Sequence, residues 1–168
     1  LNKYRMNTVI VTGGAGFIGS NLIRELLSKK YRVVCVDNFD NTYNPVFKEE
    51  NVSEFAGKED FALERVDIRN FEELKNIFEK GRPDYVVHLA AKVDTRDAVN
   101  NPREYVSVNI DGTLNVLELS REYGIKNLVL GSSSSVYGNT ENAPWGEHER
   151  ADRQLSPYGV TKRSKELL

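Results

Sequence analysis

Apolar residues in this chain alternate between short unbroken runs and stretches where they recur every three or four positions. Thr8-Val9-Ile10-Val11-Thr12 is short, β-branched and closed by glycine, the pattern of a buried strand. Past the glycines, Phe17, Ile18, Leu22, Ile23, Leu26 and Leu27 recur at helical spacing as far as Lys29-Lys30. Four more runs predict strands over Arg32–Val36, Phe61–Val66, Tyr85–Leu89 and Asn127–Gly131. Between them, Asn70 with Glu73 three residues on opens a helix over Phe71–Lys80, which Gly81-Arg82-Pro83-Asp84 ends. A long helix over Pro102–Tyr123 stops at Gly124, and Pro157 opens a last one. The polar stretch from Asp37 to Gly57 predicts a long loop with room for a short helix over Lys48–Phe55. Strands alternating with helices predict an α/β fold with a doubly wound parallel sheet. Ligands of such sheets lie outside the strand C-termini, so that is where chemistry is expected.

The first strand-to-helix turn reads Gly13-Gly14-Ala15-Gly16-Phe17-Ile18-Gly19. Any one of these glycines could be a simple turn. Set between a strand and a helix, they predict a dinucleotide's pyrophosphate seat, because glycines admit close backbone approach and the helix N-terminus offers free N–H groups. The second strand ends in Asp37, near the roughly 20-residue offset of a ribose-binding acid. Its carboxylate would accept ribose hydroxyls and repel a 2′-phosphate, which favours NAD over NADP.

Bulk properties narrow the partners. The 168 residues make about one domain, with 23 basic against 25 acidic side chains and a net charge of −2. No basic patch supports nucleic acid, and no apolar run approaches the length of a membrane span. The single cysteine, Cys35, lies in a predicted strand and is expected to pack in the core. No metal site is expected, and a cytoplasmic location is the default. Met6 precedes the first strand as a natural start would, so Leu1 to Arg5 read as an upstream extension.

Ser156-Pro157-Tyr158-Gly159-Val160-Thr161-Lys162 sets Tyr158 and Lys162 four residues apart, on one face of a helix. A tyrosine hydroxyl ordinarily titrates near 10, and a neighbouring ammonium favours its phenolate. Alone, Y-x-x-x-K is an ordinary surface pattern. Here it follows a dinucleotide motif and the strand end Gly131-Ser132-Ser133-Ser134-Ser135-Val136-Tyr137-Gly138, which by itself is only a polar turn.

Together these motifs resemble the NAD-dependent epimerase/dehydratases of the extended short-chain dehydrogenase/reductase superfamily, over nearly the whole chain. The resemblance implies a Rossmann-type NAD-binding domain across residues 1–168 and a nucleotide-sugar substrate. By position it implies that Gly13, Gly16, Phe17, Ile18 and Gly19 cradle the pyrophosphate, and that Asp37 and Asn38 hold the adenosine ribose. Asn41 and Thr42 would add phosphate or ribose contacts, and Asp67 and Ile68 would bind adenine. Leu89, Ala90 and Ala91 match the segment lining the cofactor, and Asn109 an asparagine near the site. Ser133 would be the catalytic serine touching the sugar, Tyr158 the base, and Lys162 its partner and a grip on the nicotinamide ribose. Arg96 matches an arginine of uronic-acid epimerases, although Val93-Asp94-Thr95 departs from their A-G-V. His88, inside a strand, reads as a structural, hydrogen-bonded histidine, and His148 as solvated.

Related dehydratases and decarboxylases resemble this chain but carry acids where it has Ser134 and Ser135. Epimerisation at C4 needs neither, so a UDP-sugar 4-epimerase is the expected activity. Asp37-Asn38-Phe39-Asp40-Asn41-Thr42-Tyr43 with Lys48, and Ser132 to Gly138, resemble UDP-glucuronate 4-epimerases and lean towards that sugar. A dehydratase, a decarboxylase, a reductase and a noncatalytic NAD-binding module remain the alternatives. The resemblance also implies a homodimer, paired through the long helix and the Tyr158 helix; Val106, Ile110 and Leu117 share one stripe, which core packing would explain as well. The chain stops at Leu168 inside its last helix, so it reads as truncated before the substrate domain, with the fragment inactive by itself.

Overall fold

Five strands form one parallel sheet: β1 (Thr8–Thr12), β2 (Arg32–Val36), β3 (Phe61–Glu64), β4 (Tyr85–His88) and β5 (Asn127–Leu130). Their order is β3-β2-β1-β4-β5, and each neighbouring pair is parallel. The structure is a computed structural model describing residues 5–139 and 144–168. Of the Leu1–Arg5 segment, all but Arg5 lies outside the described residues.

Both faces of the sheet are covered. Val9, Val11, Val33 and Cys35 pack with Ile23 and Leu27 of α1 (Phe17–Ser28) and Val52 of α2 (Pro45–Ser53). Ile10, Val34, Val36 and Val86 pack on the other side with α3 (Phe71–Gly81) and α6 (Gly112–Glu122), through Leu74, Phe78, Val116 and Leu119. Successive strand residues point to opposite faces, so burial on both sides yields unbroken apolar runs rather than alternation. Burial, and then the charge of Asp37, pushes the Cys35 thiol up to about 12. This is a core cysteine.

Several elements differ from the sequence expectation. The third, fourth and fifth strands end at Glu64, His88 and Leu130, short of the predicted Val66, Leu89 and Gly131. The first helix ends at Ser28, before the left-handed turn at Lys30. The short helix in the polar stretch starts early, because Asn44 caps Val46 N at 3.1 Å with Pro45 at the first position. A one-turn helix, α4 (Asp97–Asn100), precedes the long one. The long helix itself is three pieces: α5 (Pro102–Val106), a π-helical turn over Ser107–Asp111, and α6. Such turns re-aim side chains. Here Asn109 sits in the turn, fully buried, and bonds sideways rather than along the helix axis. Among the described residues no helix is long and apolar enough to cross a membrane.

Strand order reverses between β1 and β4, opening a crevice at their C-terminal ends. The glycine loop lies there. A Cβ on Gly19 would stand 2.5 Å from Gly13 O, 2.6 Å from Gly14 Cα and 2.8 Å from Gly14 O, all of them backbone atoms. Gly19→Ala is therefore expected to destabilise the chain by about 1–3 kcal/mol, a fall of roughly 3–10 °C in Tm by thermal denaturation. An unchanged Tm would show that the loop yields freely.

Candidate functional site

A cleft of about 460 Å³ runs along the C-terminal ends of the strands, from Asp67 and Ile68 at one end to Tyr158 and Lys162 at the other. Gly13, Gly16, Phe17, Ile18 and Gly19 line its middle. α1 begins at Gly16 with no side-chain cap and no acidic residue in its first turn. Its free N–H groups and positive dipole end suit an anion. A Cβ on Gly13, at φ +68°, would come within 2.7 Å of Ala90 N, so the loop is pressed against the end of β4. The floor of the cleft is bare backbone, which is what a pyrophosphate needs.

Asp37 is buried beside this loop. Its Oδ2 accepts from Ala15 N at 3.2 Å, and its Oδ1 from Phe39 N and Lys48 Nζ, each at 2.9 Å. A carboxylate offers about four acceptor positions, so roughly one remains for a ribose hydroxyl. Lys48, buried on α2, balances the Asp37 charge. Next along, Asp67 accepts from the Arg69 guanidinium at 2.7 and 2.9 Å and from Asn38 Nδ2 at 2.9 Å. The Arg69 hydrogen bond, against a burial penalty, holds the Asp67 carboxyl down to about 2. Asn38, Thr42, Leu89, Ala90 and Ala91 also line the cleft, whereas Asn41 is exposed and does not.

Asn109 lies behind the wall rather than on it. Its Oδ1 accepts from Lys92 N at 2.8 Å, while its Nδ2 donates to Lys92 O and to Thr161 Oγ1, both at 3.0 Å. It thereby ties the loop after β4 to α7 (Pro157–Leu167). A second buried chain of hydrogen bonds runs through His88. Thr113 Oγ1 donates to Asn109 O at 2.7 Å, so at 2.9 Å it must accept from His88 Nε2. His88 Nδ1 then accepts from Thr12 Oγ1 at 2.6 Å, which itself accepts from Ala90 N at 3.3 Å. Every donor meets an acceptor only if His88 is neutral, and burial together with Lys165 and Lys162 pushes its pKa well below the usual range. His88 is structural, and His148 is exposed.

α7 brings Tyr158 and Lys162 to the far end of the cleft. Ser156 caps the helix at Gly159 N, 3.1 Å away, with Pro157 in the first turn. Tyr158 packs edge-on against Tyr105, ring centroids 6.3 Å apart, and Lys162 Nζ lies 6.0 Å from the Tyr158 centroid. Lys162 Nζ donates to Gly131 O at 2.7 Å, and burial lowers its pKa to about 8. Ser133 caps the short 3₁₀ turn Ser134–Tyr137, accepting from Ser135 N at 3.2 Å. Among the described residues its own O–H has no acceptor. Gly131 and Ser132 line the cleft, but Ser133 does not, and Arg96 is exposed outside it.

A dinucleotide-sized crevice that joins a bare glycine floor to a tyrosine–lysine pair invites comparison with known proteins. The family model described as GDP-mannose 4,6 dehydratase matches residues 10–168. The chain belongs to this family. It is 42% identical, over 97% of its length and 50% of the relative's, to a UDP-glucuronate 4-epimerase of Thermodesulfobacterium geofontis. It is 37% identical to the UDP-glucose 4-epimerase of Mus musculus, over 94% and 46% of the two chains. The crystal structure of UDP-glucose 4-epimerase from Bifidobacterium longum in complex with NAD+ and UDP superimposes with a TM-score of 0.86 at 34% identity, over 96% of this chain and 47% of that one. The chain thus spans about half the length of the curated relatives it matches.

The cleft also contains residues to which the sequence had assigned no role: Asp40, Tyr43, Arg69 and Lys92. Asp40 and Tyr43 lie inside a motif already singled out, so position alone could have nominated them. Lys92 follows Leu89-Ala90-Ala91 directly, but an isolated lysine after a strand carries no signal of its own.

Proposed function

We propose that this chain is the cofactor-binding part of an NAD-dependent nucleotide-sugar 4-epimerase. One observation carries the reading: Tyr158 and Lys162 share a single cleft with the glycine floor and Asp37. The uncapped start of α1 suits a pyrophosphate, and the remaining acceptor position on Asp37 suits a ribose hydroxyl. A nicotinamide dinucleotide bound there supplies reversible acceptance of the hydride from the sugar's C4.

The side chains do the rest. Tyr158 Oη, as phenolate, takes the C4 hydroxyl proton and later returns it. Lys162, held by Gly131 O, sets a cation next to that phenolate. Ser133 turns its free O–H to the same sugar oxygen. Asn109 acts at a distance, fixing α7 against the loop after β4.

UDP-glucuronate is our favoured substrate, ahead of UDP-glucose and UDP-galactose. Two similarities lean this way. One lies around Asp37 and Lys48, at the adenosine end of the cleft, and supports kinship rather than a sugar contact. The other lies over Ser132 to Gly138, a segment that packs against α7. Arg96 is the candidate cation for the substrate. Exposed Val106, Leu114 and Val160 support a homodimer through α5, α6 and α7. The deciding experiment assays the epimerase containing this chain against a panel of UDP-sugars, after titrating the chain itself with NAD. Interconversion of UDP-glucuronate and UDP-galacturonate as the fastest reaction is expected. NAD binding without epimerisation of any sugar in the panel would overturn the reading.

A further inference from the structure

Lys92 reaches from one bank of the cleft to the other. β2 and β4 flank β1 on opposite sides, so a dinucleotide lying from Asp37 to Tyr158 must cross the glycine loop that follows β1. Lys92 leaves the end of β4. Yet its Nζ lies 3.2 Å from Thr42 Oγ1 and 3.5 Å from Asp40 Oδ1, both beyond the end of β2. Glu104, in the first turn of α5, approaches the same Nζ at 3.3 Å. The bridge spans the crossing point.

Both ends of it are anchored. Asn109 clamps the Lys92 peptide through its N–H and its carbonyl. Asp40 Oδ1 accepts from Thr42 N at 2.9 Å and from the Thr42 hydroxyl, closing a tight turn. Burial pushes the Asp40 carboxyl up, but the Thr42 bonds and Lys92 outweigh it and hold the group charged. The Lys92 side chain is 13% exposed and that of Asp40 30%, so water screens the pair only in part. Asp40, Thr42 and Lys92 all face the cleft.

We propose that the Lys92–Asp40 pair is a latch over the dinucleotide cleft, which must open for the dinucleotide to enter or leave. The proposal rests on the dinucleotide reading of the cleft. A pair that breaks in both directions is a barrier common to entry and exit. It sets the rate of exchange and leaves affinity nearly untouched. A lysine that served only as a pyrophosphate ligand would behave differently, because its loss would speed release alone.

Asp40→Asn separates the two. It removes the ionic part of the latch, leaving the Thr42 contact, while keeping the Lys92 charge and the shape of the turn. The latch requires faster release in this variant, whereas a phosphate ligand freed from Asp40 would hold the dinucleotide longer. The experiment loads the 168-residue chain with NADH, chases it with excess NAD and follows NADH fluorescence by stopped flow, with association measured separately. Lys92→Met and Asp40→Asn are each expected to speed association and release together by about two- to fivefold, as loss of a partly exposed ion pair implies, with Kd nearly unchanged. Wild-type rates in both variants, or slower release from Asp40→Asn, would overturn the latch alone. A wild-type chain that binds no NADH would overturn the dinucleotide reading as well.

Discussion

Tyr158→Phe is expected to reduce epimerase turnover by about 10²–10⁴-fold while leaving the fold and dinucleotide binding in place. The ring is buried against Tyr105, and phenylalanine keeps that edge-on contact. Only Oη is lost, and with it the group proposed to take the C4 proton. In the proposed reading, binding rests on other parts of the cleft: the glycine loop, the start of α1 and Asp37. Turnover with the panel's best UDP-sugar, NAD titration and Tm should therefore separate cleanly. Turnover within a few-fold of wild type would remove Tyr158 from the chemistry.

Lys165→Met is expected to stabilise the chain, and more strongly at low pH. Lys165 is 2% exposed, and its Nζ has a carbonyl partner, Ala90 O at 3.3 Å. Burial, with the neighbouring Lys162 charge, lowers its pKa from 10.5 to about 7. Between those values the unfolded chain holds a proton that the folded chain releases, so folding grows more favourable as pH rises through the window. The cost of the buried ammonium is complete below about 7 and vanishes above 10.5. Methionine removes it, and exchanging buried charge for packed apolar atoms typically gains about 1–4 kcal/mol. Urea denaturation at several pH values should show a gain of about 2–4 kcal/mol at pH 6 that fades towards pH 10. Lys162 titrates in both proteins, so only its coupling to Lys165 enters the difference. A constant difference across this range would contradict the assignment.

Lys165 also shows where sequence reading loses its grip. Its spacing from Tyr158 and Lys162 puts all three on one face of α7, and that much follows from helical periodicity. Its residue type points to solvent, because lysines are rarely buried unless paired. Lys48 was visible only as one letter of a loop similarity, although it neutralises Asp37 from beneath. Asn109 was expected near the site and lies behind the cleft wall, where the π-helical turn directs its amide into the protein. Ser133 and Arg96 were expected near the substrate, and the cleft's lining includes neither.

What depends on neighbours along the chain was legible from the residues alone. Strand runs, helical spacing, capping residues and the glycine turn are local, and they located the five strands, the main helices and the Tyr158–Lys162 pair, and nominated the glycine loop as a pyrophosphate seat. Strand order, the piece-wise long helix, the His88 hydrogen-bond chain, the Asp37–Lys48 pair and the Lys92 bridge were decided only in three dimensions. Each joins residues far apart in sequence, and each buries polar groups. Hydrophobic periodicity marks the apolar positions that enter a core, but it is silent on which charges go in with them and on what they meet there.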